Sequence, residues 1–246
     1  MAKDQKQIWL DFSKGISQDH IKNSFQNPTS FQIEFNNLLN QNINESNIQS
    51  AIEIGCEAGI SLMLLNPLLK KSTFLDYDET ILEKVKDAAS ELNLLGTECI
   101  CEDMFTMKLI QDEIYDLSFN SGVIEHYTKE VREQAIKSYS RITKKGGLVI
   151  VAFPNHHSLP YRLSYLLGRM LGKTVWPWPK EYKFYDLKDE MEAAGLIYKN
   201  RVTMDRATIF KIKVCKYKLS RGFFLFLDKF LHFEGYLTVC IAKKPL

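Results

Sequence analysis

A mostly parallel α/β sheet with helices on both faces is the fold class that three features of this sequence predict. From Gln49 onward short apolar runs alternate with amphipathic stretches. Glycines at 55 and 59 punctuate the turn after the first run, and the next run closes on an acid, Asp76. Such alternation is what parallel strands joined by crossover helices produce.

The elements follow in order. Residues 1–48 are polar and rich in Asn and Gln, yet Phe31, Phe35, Leu38 and Leu39 recur at helical spacing. They predict a helical cap, with Trp9 and Phe12 as earlier anchors. Residues 49–246 then form the main domain. Its predicted strands are 50–54, 72–75, 97–101, 115–120 and 147–153, the last introduced by the Lys145-Gly146-Gly147 turn; helices at 60–69, 80–94 and 129–141 separate them. Residues 154–185 carry four of the seven prolines and two of the three tryptophans, too long a stretch for an ordinary connection, and read as an inserted helical and aromatic lid. A helix at 186–194 is stopped by Gly195, a strand follows at 196–203, and residues 204–234 are a variable insertion with a basic run and a short apolar helix. A last strand at 235–242 closes the chain.

Composition narrows the function classes. With 32 Lys+Arg against 30 Asp+Glu the net charge is +2, which excludes the strongly basic balance of a general nucleic-acid binder. The five cysteines, Cys56, Cys99, Cys101, Cys215 and Cys240, form no C-x-x-C pair, so neither a disulfide framework nor a structural metal site is expected. The first residues lead into no apolar stretch of signal-peptide length and no window approaches a membrane span, so the expected location is cytoplasmic. Positive charge gathers instead at 211–227, where Lys211, Lys213, Lys216, Lys218 and Arg221 precede a Phe- and Leu-rich run. That stretch is a candidate contact for an anionic surface.

The chemistry concentrates in AIEIGCEAGI, residues 51–60. A glycine-bearing strand-to-helix turn lets backbone approach a ligand closely, and the helix behind it offers free N–H groups. Asp76, about 20 residues on, is placed to take both ribose hydroxyls of an adenosine, and the pair implies a nucleoside cofactor in a Rossmann-like sheet. A dinucleotide would want glycine at 57 and 60, where this chain has Glu57 and Ile60.

The spacing follows (E/D)-x-G-x-G-x-G through Glu53, Gly55 and Gly59, and here the chain resembles the class I S-adenosylmethionine-dependent methyltransferases over residues 49–153. The resemblance implies a seven-stranded sheet whose last strand is antiparallel. It also implies a cofactor site in which Glu53 helps hold the methionine amino group and Gly55, Cys56 and Gly59 lie against the methionine portion. Asp76 would bind ribose with Tyr77 beside the adenosine, Asp103 the adenine amino group, and Met104 the ring face; Asn120 and Ser121 would end the fourth strand near the sulfonium. Glu57 departs from the pattern, with a side chain free to point outward if its backbone dihedrals are ordinary. No Asn/Asp-Pro-Pro-Tyr-like run follows the fourth strand, which shifts weight from macromolecular toward small-molecule acceptors.

Methyl transfer from a sulfonium is an in-line displacement for which positioning supplies much of the rate. The expected reaction carries the methyl group to oxygen, nitrogen or carbon of a small metabolite and leaves S-adenosylhomocysteine. For a hydroxyl acceptor His126 and His157 are the candidate bases. Asn155, Tyr161, Trp176 and Trp178 are candidate acceptor contacts. The rival readings are a protein, RNA or amphiphilic lipid-like acceptor, and a non-enzymatic binding module of the same fold.

Overall fold

The computed structural model describes residues 5–159, 162, 166, 170, 181–205 and 218–246. Three helices open the chain: α1 (Gln5–Lys14), α2 (Gln18–Gln26) and α3 (Ser30–Ser46). Local chemistry starts the second and third. Ser17 accepts from the His20 N–H, and Thr29 and Gln32 satisfy each other's backbone N–H in a capping box.

The main domain alternates β1 (Ser50–Ile54), α4 (Ile60–Leu65), β2 (Lys71–Asp76), α5 (Glu79–Glu91), β3 (Thr97–Cys101), β4 (Tyr115–Ser121), α6 (Lys129–Ile142) and β5 (Thr143–Pro154). It continues with α7 (Lys188–Ala193), β6 (Ile197–Met204), α8 (Lys218–Leu231) and β7 (Leu237–Lys243). The expected helix at 60–69 is divided, because Pro67 cannot donate the N–H that would continue α4 and a single 3₁₀ turn at Asn66–Leu68 follows instead. β5 begins four residues before its expected start, since Thr143 pairs with Tyr115 across a register shift in β4.

The seven strands lie in the order β3-β2-β1-β4-β5-β7-β6. Every neighbouring pair is parallel except those of β7, which runs antiparallel to both β5 and β6. Period-two alternation assigns side chains to two cores. Leu148, Ile150 and Ala152 of β5 face Phe35 and Leu39 of α3, Leu62 of α4 and Val85 of α5 on one side. Val149, Val151 and Phe153 face Ile136 and Tyr139 of α6 and Met191 of α7 on the other. β1 is buried along its whole length, as a strand covered on both faces must be. The N-terminal cap is therefore part of the first core, and the Phe35 and Phe119 rings meet at 6.1 Å.

On the second face Arg132 and Glu190 pair in the interior. Nε and Nη2 of Arg132 donate to Glu190 Oε1 at 3.2 and 2.7 Å, and its guanidinium lies 4.0 Å from the centre of the Phe184 ring. At the carboxyl end of the sheet, Met204 and Leu237 pair where β6 meets β7. The chain returns there so closely that a Cβ on Gly235 would sit 2.0 Å from the Met204 carbonyl oxygen.

Candidate active site

A cleft of about 210 Å³ opens at the carboxyl ends of β1, β2 and β4. This is where a doubly wound sheet binds ligands, since loops diverge there on either side of the first strand. Four walls come from the main domain: Gly55 and Glu57 after β1, the run Leu75 to Asp78 with Ile81, residues 102–105 after β3, and residues 121–123 with Tyr127 after β4. Lys6, Trp9, Phe12 and Ser13 of α1 form its roof.

The loop after β1 is fixed from outside itself. The N–H groups of Gly55 and Cys56 both donate to the Leu75 carbonyl, at 2.8 and 3.0 Å. Gly55 and Gly59 have φ of +68° and +66°; a Cβ would meet Val123 at 2.8 Å in the first case and the Phe74 ring at 2.8 Å in the second. Both positions therefore require glycine. Glu57 shares the left-handed conformation at φ +48°, so its dihedrals are not ordinary and its side chain lines the cleft rather than pointing outward. The fold imposes at residue 57 the geometry that a middle glycine would adopt freely.

Asp76 binds this loop to the next helix. Its carboxylate accepts the N–H of Glu57 at 3.0 Å and of Asp78 at 3.1 Å. Asp78 in turn caps α5 through Thr80 N–H at 3.0 Å and accepts the Ser13 hydroxyl of the roof. Tyr77 completes the closure, its hydroxyl donating to the Lys6 carbonyl at 3.3 Å while the Lys6 ammonium lies 5.3 Å from its ring centre.

Three acids share this end of the sheet. Burial pushes the Glu53 carboxyl up to about 8 against the Leu62 N–H bond, with Glu57 and Asp76 adding to the rise. Burial likewise raises Glu57 to about 7, helped by Asp76, and moves Asp76 upward against its backbone N–H bonds. Carboxyls held protonated in this way ionise more readily when a cation is placed beside them, so the cluster suits a cationic ligand. The opposite wall is apolar around Leu75, Ile81, Met104 and Phe105, with Asp103 exposed at its edge and bonded through one oxygen to Phe105 N–H at 2.8 Å. A flat heteroaromatic ring, a ribose diol and a cation match these three surfaces in turn, so the residues present fit an adenosine sulfonium.

Of the cofactor residues read from the sequence, Gly55, Asp76, Tyr77, Asp103, Met104 and Ser121 line the cleft. Glu53, Cys56 and Gly59 are buried behind the loop, where Glu53 accepts Leu62 N–H at 3.2 Å. Asn120 is buried too, its amide donating to the Tyr139 hydroxyl at 2.9 Å.

His126 is buried one layer back, its ring 5.6 Å from Trp9 of the roof and its Nε2 3.9 Å from Glu125 Oε1. His157 lies outside the cleft walls against Tyr185. Asn155 bonds Glu234 at 2.9 Å, the Gly235 carbonyl at 3.0 Å and the His157 N–H at 2.9 Å, which ties the end of β5 to the approach of β7. Tyr161, Trp176 and Trp178 fall outside the described residues. Among the described residues no group of three or more His, Cys, Asp or Glu side chains could hold a metal ion.

Sequence reasoning missed the roof. Trp9 and Phe12 stood out as anchors, and their spacing of three put both on one helical face, but nothing local indicated that the face covers a ligand cleft rather than core.

Residues 52–151 match the model of a family described as a methyltransferase domain. Among solved structures, an S-adenosylmethionine-dependent methyltransferase from Clostridium acetobutylicum is 13% identical with a TM-score of 0.62, covering 93% of this chain and 98% of its own. A geranyl diphosphate C-methyltransferase from Streptomyces coelicolor, crystallised with Mg²⁺, geranyl diphosphate and S-adenosyl-L-homocysteine, is 11% identical with a TM-score of 0.56 over 80% of this chain and 71% of that one. The [4+2]-cyclase SpnF is 15% identical with a TM-score of 0.60 over 89% and 84%. At such identities the likeness speaks for the fold. Among curated proteins none matches this sequence.

Proposed function

We propose, from the match of residues 52–151 to a methyltransferase domain, that this chain uses S-adenosylmethionine to methylate oxygen, nitrogen or carbon of a small-molecule acceptor and releases S-adenosylhomocysteine. The observation that carries the reading is the roofed cleft. α1 lies across the ends of β1, β2 and β4, and the enclosure it makes suits a metabolite better than a folded macromolecule.

In this reading Asp76 takes the ribose hydroxyls, Leu75, Ile81, Met104 and Phe105 enclose the adenine, and Asp103 faces its amino group. Glu57 lies beside the methionine portion, with Ser121 and Gly122 toward the reacting methyl group. Glu53 acts through the loop, holding the first turn of α4 by its bond to Leu62 rather than touching the ligand. When bound, the cofactor supplies a carbon already activated by sulfonium; the chain's own residues position, enclose and exclude water, and neither a nucleophilic side chain nor a metal is required. Of the two candidate bases, His126 is the one adjoining the cleft, behind Trp9.

Titration calorimetry with S-adenosylhomocysteine tests the cofactor half, and absence of heat at millimolar ligand would sink it. Asp76→Asn is expected to weaken that binding by at least about tenfold, because the ribose loses a charge-assisted hydrogen bond. Labelled methyl cofactor added to a cell extract tests the acceptor half. Label in the low-mass fraction supports a small acceptor, and label in protein or RNA refutes it.

A further inference from the structure

The chain leaves the sheet at its carboxyl end twice, after β5 and between β6 and β7, and both excursions present apolar side chains to solvent. On α8, Phe223, Phe226, Phe230 and Leu231 are between 58% and 69% exposed. Their spacing places them on one side of the helix, and the Phe226 and Phe230 rings meet at 5.1 Å. In the other excursion Leu159, Leu166 and Met170 are helical and exposed, with Arg162 exposed among them. A helix of a water-soluble domain turns its apolar stripe inward; α8 turns a row of phenylalanines outward. A contiguous apolar face of this kind marks a docking surface.

Charge identifies the occupant. Residues 206–221 contain Arg206, Lys211, Lys213, Lys216, Lys218 and Arg221 and no acid, and over 206–231 the only acid is Asp228. A second copy of this chain paired through α8 would set the helix bearing Lys218, Arg221 and Lys229 against its own like-charged copy, which opposes a symmetric pairing through this face. An anionic lipid surface satisfies both halves: its headgroups attract the cations, and its acyl boundary takes the phenylalanine row. We propose that α8 lies in the plane of an anionic membrane surface, apolar face down, and docks the protein there. The Met204–Leu237 and Pro154–Leu237 pairings put this excursion at the same end of the sheet as the cleft, so docking turns the cleft end toward the lipid.

The proposal does not depend on the identity of the acceptor and is tested without it. The full chain is sedimented with vesicles of phosphatidylcholine alone and of phosphatidylcholine with phosphatidylserine. Binding at least about tenfold tighter to the anionic vesicles, weakened by added salt, is expected. The double variant Phe226→Asp/Phe230→Asp should lose at least about tenfold of that binding. Its thermal unfolding midpoint serves as the fold control, since both positions are exposed. Three results would overturn the proposal: no preference for anionic vesicles, a double variant that binds like the parent, or light scattering that shows a dimer of the parent and a monomer of the variant. The last would assign the face to a second copy of the chain.

Discussion

Glu57 offers a sharp test of how the loop after β1 is held, because one residue combines a left-handed backbone with a buried carboxyl. Its pKa is raised from 4.5 to about 7, so the folded chain holds this proton more tightly than the unfolded chain does. Stability contributed by the neutral form is therefore complete at low pH and declines as pH rises from 4.5 through about 7. At 1.36 kcal/mol per pH unit, ionised Glu57 would cost the folded state about 3 kcal/mol at about pH 8 and under about 1 kcal/mol at about pH 5. Residual contact with solvent screens the first figure to about 2 kcal/mol. Glu57→Gln keeps the backbone strain and removes the charge, so it should stabilise by about 2 kcal/mol near pH 8 and by little near pH 5. Glu57→Gly should add a pH-independent increment of about 0.5 kcal/mol, because relief of roughly 1 kcal/mol of left-handed strain exceeds the extra entropy of an unfolded glycine. Urea unfolding of the three proteins at both pH values reads these differences. Equal stability of parent and Glu57→Gln at the higher pH would refute the reasoning.

Further outcomes follow from the same geometry. Affinity for S-adenosylmethionine should rise relative to S-adenosylhomocysteine as pH increases from about 6 to about 8, because the sulfonium favours ionised Glu57 and its binding at lower pH must expel that proton. Calorimetry of both ligands checks this, and Glu57→Gln should flatten the ratio. Gly59→Ala forces a Cβ to 2.8 Å from the Phe74 ring at φ +66° and should lower stability by about 2–4 kcal/mol in urea unfolding. Arg132→Ala leaves Glu190 buried without its partner and should cost about 3–5 kcal/mol, while Arg132→Leu/Glu190→Leu should cost less than either single change.

The part of the cleft wall built by β1, β2 and the turns that follow them was legible in the sequence because its determinants are short-range. A strand, a glycine turn, a helix and an acid ending the next strand each leave a local pattern, and Gly55, Asp76, Tyr77 and Met104 all emerge on the cleft wall. The conformation of Glu57 was not legible, for the opposite reason. Its φ is dictated by the Leu75 carbonyl and the Asp76 carboxylate, partners about 20 residues away that no local propensity encodes. The sheet was also legible, down to the antiparallel β7 that the family resemblance implied. The roof was not, since an amphipathic helix has the same periodicity whether its apolar face meets core or ligand. His126 and Asn155 illustrate a related limit of pattern: one packs behind Trp9 and the other ties β5 to the approach of β7.

The close approach of Gly235 to Met204 has a consequence for engineering. The two ends of the 205–236 excursion meet at a single point on the rim, and Tyr236 N–H still reaches the Asp205 carbonyl at 3.5 Å. The excursion is thus a side loop hung on a closed β-hairpin, a replaceable cartridge rather than a stretch of through-going scaffold. A tight turn joining β6 directly to β7 should leave the register of the sheet intact, and a foreign segment grafted at that joint could redirect the protein without disturbing the strands that form the cleft.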